Sequence, residues 1–456
     1  MVDNLLIAVP AFIVALGLLI TIHEFGHYWV ARKVGVKVLR FSIGFGKPLW
    51  RYQRSEDDTE FVIAAIPLGG YVSMLDEREG DVPESLRDKA FNRQKIHHRV
   101  AIVLAGPVFN FIFAIFLYWM MFVVGLPGIK PVVGAIEANS VAAEVDIRIG
   151  DQIVAVDGQE TATWGAASLE VLAKNLNQEQ LRITVADEWQ QTREVELMLP
   201  EVGDEFGKQG GLQRLGLTPR RPHIEAVIGK VLDNSPAARA GLLVGDKLLA
   251  ADDQPVTGWM AWVTYVRDRP EQSISLRVLR EGTERTLTIT PEKVEESGVS
   301  FGKIGAGVTL QRHTIPDELL AVQQYGPFEA VLASFNKTWD MSLMTLQIMG
   351  RMLTGQVSLD NLSGPLTIAQ YAGYSAQGGL PTFLAFLAVI SLSLGVLNLL
   401  PIPMLDGGHL LYYLIEFIKG SPLSDESQAL GLRIGMFCIL MLMSVALYND
   451  LIRLFG

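Results

Sequence analysis

Four stretches of this chain, residues 5–31, 100–129, 381–405 and 434–449, cover 98 positions and hold one charged side chain, Glu24. Nothing else in the sequence limits the fold so strongly. Runs this apolar belong in lipid, where no water satisfies peptide groups, so each must close its hydrogen bonds internally as a helix. A hydrocarbon core takes about 20 residues per helix. The first three runs pass that length. The fourth passes when it starts at Ala429 and Arg433 snorkels to the interface. Spans are therefore expected at about 5–31, 100–124, 381–410 and 429–449. The other 358 of the 456 positions are 24% charged, close to the roughly 25% of soluble protein. The chain reads as a few spans carrying a large water-soluble insert, which excludes a plain soluble enzyme and an all-membrane transporter. A single cysteine, Cys438, excludes an intrachain disulfide framework and a cysteine-based metal site. Met-Val-Asp-Asn at the start has no basic region, so the first span is expected to be retained rather than cleaved as a signal.

Short-range Lys/Arg bias sets the orientation. Arg32, Lys33, Lys37, Arg40, Lys47 and Arg51 follow the first span, and Arg87, Lys89, Arg93, Lys95 and Arg99 precede the second. Segment 32–99 is thus expected in the cytoplasm, with both termini and the insert outside. Of the overall net charge of −11, residues 131–316 contribute −8.

That acidic insert contains an internal repeat at a constant offset of 95 residues. Val133-Gly134 matches Ile228-Gly229, Asn139-Ser140 matches Asn234-Ser235, and Gly150-Asp151 matches Gly245-Asp246. Trp164 matches Trp259, and Leu181-Arg182-Ile183 matches Leu276-Arg277-Val278. Each copy predicts short strands (Gln152–Val156, Lys247–Ala251), a helix after the Trp, and a returning strand. Residues 234–248 resemble a PDZ domain, with a helix ending at Gly241 and a Gly-Asp turn opening a strand. The first copy departs from this, with Val145-Asp146 where the second has Ala240-Gly241. PDZ folds take an extended peptide along a sheet edge. The candidate peptide-binding loops contain Gly216 and Leu217 in copy one and Gly305 in copy two. The other use of such a pair is bulk that shields something below. Beyond the repeat, apolar residues recur at helical spacing from Val331 to Leu353, as an interfacial or a core-facing helix.

The chemistry is concentrated in His23-Glu24-Phe25-Gly26-His27. Helix positions i and i+4 share a face, so both imidazoles reach one ion. Glu24, one step round, is placed to take a proton from metal-activated water. Ionisable groups inside a span are costly and mark function. Two histidines leave a catalytic metal short of a ligand. The third span ends in Asn398-Leu-Leu-Pro401-Ile-Pro403-Met-Leu-Asp406-Gly407-Gly408-His409, where the prolines break the helix and offer Asp406 or His409. Asn398 is a candidate oxyanion donor, or an interhelical hydrogen bond. The loop 41–75 is too apolar for a free cytoplasmic loop, and its strand-like runs are broken by glycine and proline.

The first-span motif, the Asn398…Pro401-x-Pro403-x-x-Asp406-Gly407 motif and the tandem insert between them together resemble the site-2 protease family of intramembrane zinc metalloproteases. The resemblance covers essentially the whole chain. It implies one zinc ion held by His23, His27 and Asp406, with Glu24 and Asn398 catalytic. It implies cleavage of transmembrane segments of single-pass proteins, anti-sigma factors in envelope-stress signalling among them, and of remnant signal peptides. The PDZ pair would act as a size filter. Loop 41–75 would form a membrane-associated β-hairpin that adds the unwound substrate as a strand, through Gly44, Phe45, Gly46, Gly69, Gly70, Tyr71 and Val72. Without a substrate role it would be a small cytoplasmic sheet.

The expected architecture is a multi-domain membrane protein: a four-span helical bundle with two inserted α+β PDZ domains and that hairpin. Its parts are a membrane half at 1–125, PDZ domains at 128–221 and 222–310, a helical linker at 316–375 and a second membrane half at 381–456. The expected protein is a monomeric bacterial inner-membrane zinc endopeptidase that works in the lipid bilayer and binds no nucleic acid. The alternative is a non-catalytic PDZ scaffold with a structural metal.

Overall fold

A computed structural model describes residues 2–55, 57–176, 180–200, 210–220, 224–296, 299–308 and 316–455. The domain boundaries expected at 221, 222 and 310, and residues 1 and 456, lie outside that set. Helix α1 (Val2–Lys33) leads into two long strands, β1 (Val38–Tyr52) and β2 (Glu60–Met74), and helix α2 (Ile96–Val124) follows. Strand β3 (Leu126–Ile129) opens the insert.

The first inserted module contains β4 (Val133–Ile136), β5 (Gln152–Val156), β6 (Gln159–Glu160), α3 (Trp164–Asn175), β7 (Gln180–Ala186), β8 (Thr192–Met198), α4 (Gly211–Arg214) and β9 (Leu217–Pro219). The second contains β10 (Ile228–Val231), α5 (Pro236–Arg239), β11 (Lys247–Ala251), β12 (Gln254–Pro255), α6 (Trp259–Arg267), β13 (Ile274–Arg280), β14 (Thr283–Ile289), β15 (Glu292–Glu296), β16 (Val299–Lys303) and β17 (Ala306–Val308). The two modules have the same strand order. The four-stranded sheets run β6-β5-β7-β8 and β12-β11-β13-β14, and the flanking pairs are β4-β9 and β10-β17. Left-handed residues recur at the same offset: Asn139 and Asn234 (φ 64° and 58°), Asp157 and Asp252 (48° and 46°), Gly150 and Gly245 (98° and 94°). The copies diverge where their sequences do. Ser235 and Pro236 start the short helix α5, whereas Val141–Glu144 makes only a 3-10 turn.

Each module ties its Gly-Asp turn with a buried carboxylate. Asp246 accepts from the Leu243 N–H at 2.9 Å and from Arg280 at 2.7 and 2.6 Å. Asp151 accepts from the Arg148 N–H at 2.7 Å and from Arg193. Burial works against ionising Asp246, but the Arg280 and Leu243 hydrogen bonds outweigh it and hold the carboxyl below its usual range. A depressed folded pKa stabilises above the unfolded value of about 3.9 and stops doing so as pH falls through the folded value. Asp246→Asn in the full chain is expected to cost this module about 3 kcal/mol at neutral pH. Hydrogen exchange of β11 and β13 measures the loss, and the gap to wild type should begin to narrow below about pH 4 and close only at still lower pH.

Strand β18 (Leu320–Gln323) pairs antiparallel with β3, so the insert leaves and rejoins the membrane part at one place. Next come α7 (Glu329–Leu353), α8 (Pro365–Gln377), α9 (Leu380–Leu399), α10 (Asp406–Lys419) and α11 (Asp425–Phe455). Helix α7 is amphipathic. Phe335, Trp339 and Leu346 are exposed along one face, while Lys337 pairs with Glu170 of α3 at 3.4 Å and Arg351 donates to the Leu176 carbonyl at 2.6 Å. The first module is thereby docked on α7.

Among the described residues four helices are long and apolar enough to cross a membrane: Ile7–Lys33, Ile96–Val124, Leu380–Leu399 and Glu426–Leu454. Helices α1, α2 and α9 share one core built around Leu19, Leu117, Tyr118, Phe122, Leu384 and Leu387. Two span limits differ from expectation. The third span stops at Leu399 instead of 410, because Pro401 and Pro403 cannot continue a helix and Asp406 starts a new one. The fourth extends past 449 because its charge is satisfied. Asp450 accepts from the Gly364 and Leu366 N–H groups at 2.9 Å each, and from the Thr367 N–H at 3.2 Å, at the start of α8.

The loop after α1 is more than a hairpin. Phe41 pairs with both Val72 and Phe61, and Ile63 with both Ile43 and Trp50. The two strands fold back on themselves into four sheet positions, in the order 48–52, 60–64, 38–43, 70–74. Gly44 and Gly46 make the fold-back in β1, with φ of 89° and 87°.

Candidate metal centre

Helix α1 puts His23 and His27 on one face, with ring centroids 4.8 Å apart and planes at 85°. The loop 400–405 then returns the chain to them. Met404 takes a left-handed φ of 89° there, and Asp406 enters as the first residue of α10. The Nε2 atoms of the two histidines are 3.2 Å apart. Asp406 Oδ2 lies 3.2 Å from His23 Nε2, and Oδ1 lies 3.6 Å from His27 Nε2.

These spacings fit a metal. Zinc binds nitrogen and oxygen at about 2.0–2.2 Å, so the edge of its coordination tetrahedron is about 3.3–3.6 Å. The two Nε2 atoms stand close to such an edge apart, and each has one oxygen of the Asp406 carboxylate near that distance, Oδ2 for His23 and Oδ1 for His27. Two imidazoles and one carboxylate, leaving a position open, are also the donor set of a catalytic zinc. His409, the competing ligand, lies one turn further along α10 and is not part of this group.

Helix α2 gives no ligand but shapes the site. Pro107 lacks an N–H, so the Val103 carbonyl loses its helical donor and the turn loosens. The neighbouring Ile102 carbonyl accepts from His27 Nδ1 at 2.8 Å. Gly106 faces both ligand rings, and a Cβ there would lie 2.5 Å from His27 Cε1 and 2.7 Å from His23 Cε1. Asn110, fully buried four residues on, sits 3.1 Å from His23 Nδ1. Gly106 and Asn110 are not among the residues expected from the sequence. The signal was available as a small and a polar residue, four apart, on one face of a charge-free span.

A cavity of about 360 Å³ reaches the centre, with Glu24, His27 and Asp406 in its lining. Its walls include Val72, Ser73 and His409, and Asp76, Arg78, Arg99 and Glu416 line it among charged groups outside the apolar runs. Arg99 holds Glu416 at 3.1 and 2.5 Å. Burial pushes the Asp76 carboxyl up, but its hydrogen bonds from the Arg78 side chain and N–H win and keep it below its usual range. Among the described residues, sheet position 70–74 has a strand partner on one side only. Gly70 sets it against the motif helix, since a Cβ there would come 3.1 Å from Glu24 Cγ. Phe45 stacks on Tyr71 with centroids 6.1 Å apart. Of the expected sheet residues, Gly70, Tyr71 and Val72 lie along this position, Gly44, Phe45 and Gly46 form the bend, and Gly69 precedes the strand position in β2 with φ 146°.

Other expected residues lie elsewhere. Asn398 sits in the last turn of α9, partly buried, and is not among the residues lining this cavity. Leu217 is fully buried in the core of the first module, and Gly216 precedes it with φ 84°. Gly305 lines a separate groove of about 460 Å³ in the second module, with Trp259, Trp262 and Val266.

The profile of Peptidase family M50 matches residues 11–442. The chain belongs to peptidase family M50. It is 48% identical to the regulator of sigma-E protease RseP of Escherichia coli K12 over 445 residues, covering 97% of this chain and 98% of that protein. It is 45% identical to protease RseP of Yersinia pestis over 452 residues, 99% of this chain and all of that protein. With four apolar helices and the His23–His27–Asp406 cluster, the chain is a membrane protease of this family.

Proposed function

We propose that the protein is a zinc endopeptidase that cuts transmembrane segments of single-pass proteins within the bacterial inner membrane. The observation that carries this is the gathering of two imidazole nitrogens and one carboxylate at metal-ligand distances, with Glu24 beside them on a membrane helix. His23, His27 and Asp406 hold one zinc ion. Bound there, zinc supplies Lewis acidity, making water acidic enough to ionise near neutral pH and polarising the scissile carbonyl. Glu24 removes the proton of the attacking water and returns it to the leaving amine.

A helical substrate hides its peptide bonds, so it must be extended before it can be cut. The half-paired strand position 70–74, held against Glu24 by Gly70, offers replacement hydrogen bonds. Its substrate is an anti-sigma factor, a reading that relatives named regulators of sigma-E support, and remnant signal peptides offer the same single apolar segment. The two inserted modules are PDZ domains on the outer face, with the termini. Segment 32–99 is cytoplasmic, and the protein works as a monomer. The groove at Gly305 takes a peptide end.

A scaffold with a structural metal would call for four protein ligands, and three gather among the described residues. A chelator separates the two. Purified protein should lose cleavage of a single-pass substrate on chelation and regain it with zinc. Retained peptide capture with no cutting in either state would establish the scaffold instead.

A further inference from the structure

We infer that Asn110 is a positioning residue that fixes the tautomer of His23 and thereby makes it a metal ligand. The inference rests on the zinc reading above and concerns a residue that brings no ligand atom of its own.

A neutral imidazole binds metal through a nitrogen that carries no proton, so the other nitrogen must carry it and needs an acceptor. His27 has that acceptor in the backbone, since a carbonyl can only accept and Ile102 O stands 2.8 Å from Nδ1. The Nε2 of His27 is therefore left with its lone pair toward Asp406. His23 has no such carbonyl partner in its hydrogen bonds. Its Nδ1 faces the Asn110 side chain, with Nδ2 at 3.1 Å, while Asn110 Oδ1 is buried and has no partner. In that arrangement the amide donates to Nδ1 and the proton sits on Nε2, facing Asp406 Oδ2 at 3.2 Å. Rotating the amide by half a turn, a choice set by the hydrogen-bond network, brings the orphaned Oδ1 against Nδ1. It then accepts the Nδ1 proton and frees Nε2 for the ion.

The backbone holds Asn110 at that place. Its own carbonyl accepts from Ser391 Oγ of α9 at 2.8 Å, and both residues are fully buried. Gly106, one turn earlier on α2, keeps the space in front of both rings open. One face of α2 thus controls the ligands, and a single side chain controls the tautomer of His23.

The test measures zinc affinity of the full-length protein in detergent by chelator competition, together with the melting temperature of the metal-free form. Asn110→Leu, which keeps the volume and removes the acceptor, should bind zinc about 10–100-fold more weakly without lowering that melting temperature. Asn110→Asp, which keeps an acceptor, should stay within about threefold of wild type. If the leucine variant does not fold, Asn110→Ala replaces it. Wild-type affinity in the leucine or alanine variant, or equal weakening in the aspartate variant, overturns the assignment. Failure of the parent reading looks different: wild type itself would hold no zinc, or His27→Ala would leave its affinity unchanged.

Discussion

Glu24→Gln will leave a folded, zinc-binding protein that no longer cuts. Glutamine keeps the size of the side chain, and Glu24 is not one of the three grouped ligand donors, so metal content should equal that of wild type. The amide has no basic oxygen to take a proton from water. General-base assistance is worth about 10²–10⁴ in rate, so cleavage of a co-expressed single-pass substrate should drop by at least that factor. Glu24→Asp is the sharper companion. It keeps the charge but draws the carboxylate back by one methylene from a cavity it shares with His27 and Asp406. It should also fall well below wild type. Near-normal turnover by the glutamine variant would remove Glu24 from the chemistry and with it the proposed mechanism.

Residues that act through short helical spacing were legible in the sequence. His23 and His27 share a face by arithmetic alone, and the structure brings them within 3.2 Å. The offset of 95 residues was legible because it is gapless, and left-handed residues of the two modules fall at that same offset. The break at Pro401 and Pro403 told where irregular backbone would occur, though not that a separate helix would begin at Asp406. What stayed hidden depends on contacts between distant segments. The loop 41–75 has a strand pattern, but two glycines with positive φ decide that two strands occupy four sheet positions. Asn110 and Gly106 carry no spacing relation to the histidines, and only the crossing of α1 and α2 gives them meaning. Nothing in the sequence ties the charged end of the fourth span to the start of α8, where Asp450 accepts three backbone N–H groups.

Gly106→Ala should cost the protein its metal by adding one methyl group. The new Cβ would lie 2.5 Å from His27 Cε1 and 2.7 Å from His23 Cε1, well inside van der Waals contact, and would press on His27 Nε2 itself. Retreat of α2 would pull its side chains out of the core it shares with α1 and α9. Leu117, Tyr118 and Phe122 tie α2 into that core, and the crossing with α1 is already close, since a Cβ at Gly26 would come within 2.5 Å of the Ala105 carbonyl. The rings must swing instead, and a zinc site tolerates little ligand displacement. Zinc affinity should fall by about 100-fold, and cleavage with it, although no ionisable group has changed. Gly17→Ala is the matched control on α1, where a Cβ meets nothing within 4 Å. It should keep full affinity and full activity. Wild-type zinc binding by Gly106→Ala would mean that the rings do not stand where the helix crossing puts them, and the donor geometry on which the zinc assignment rests would be wrong.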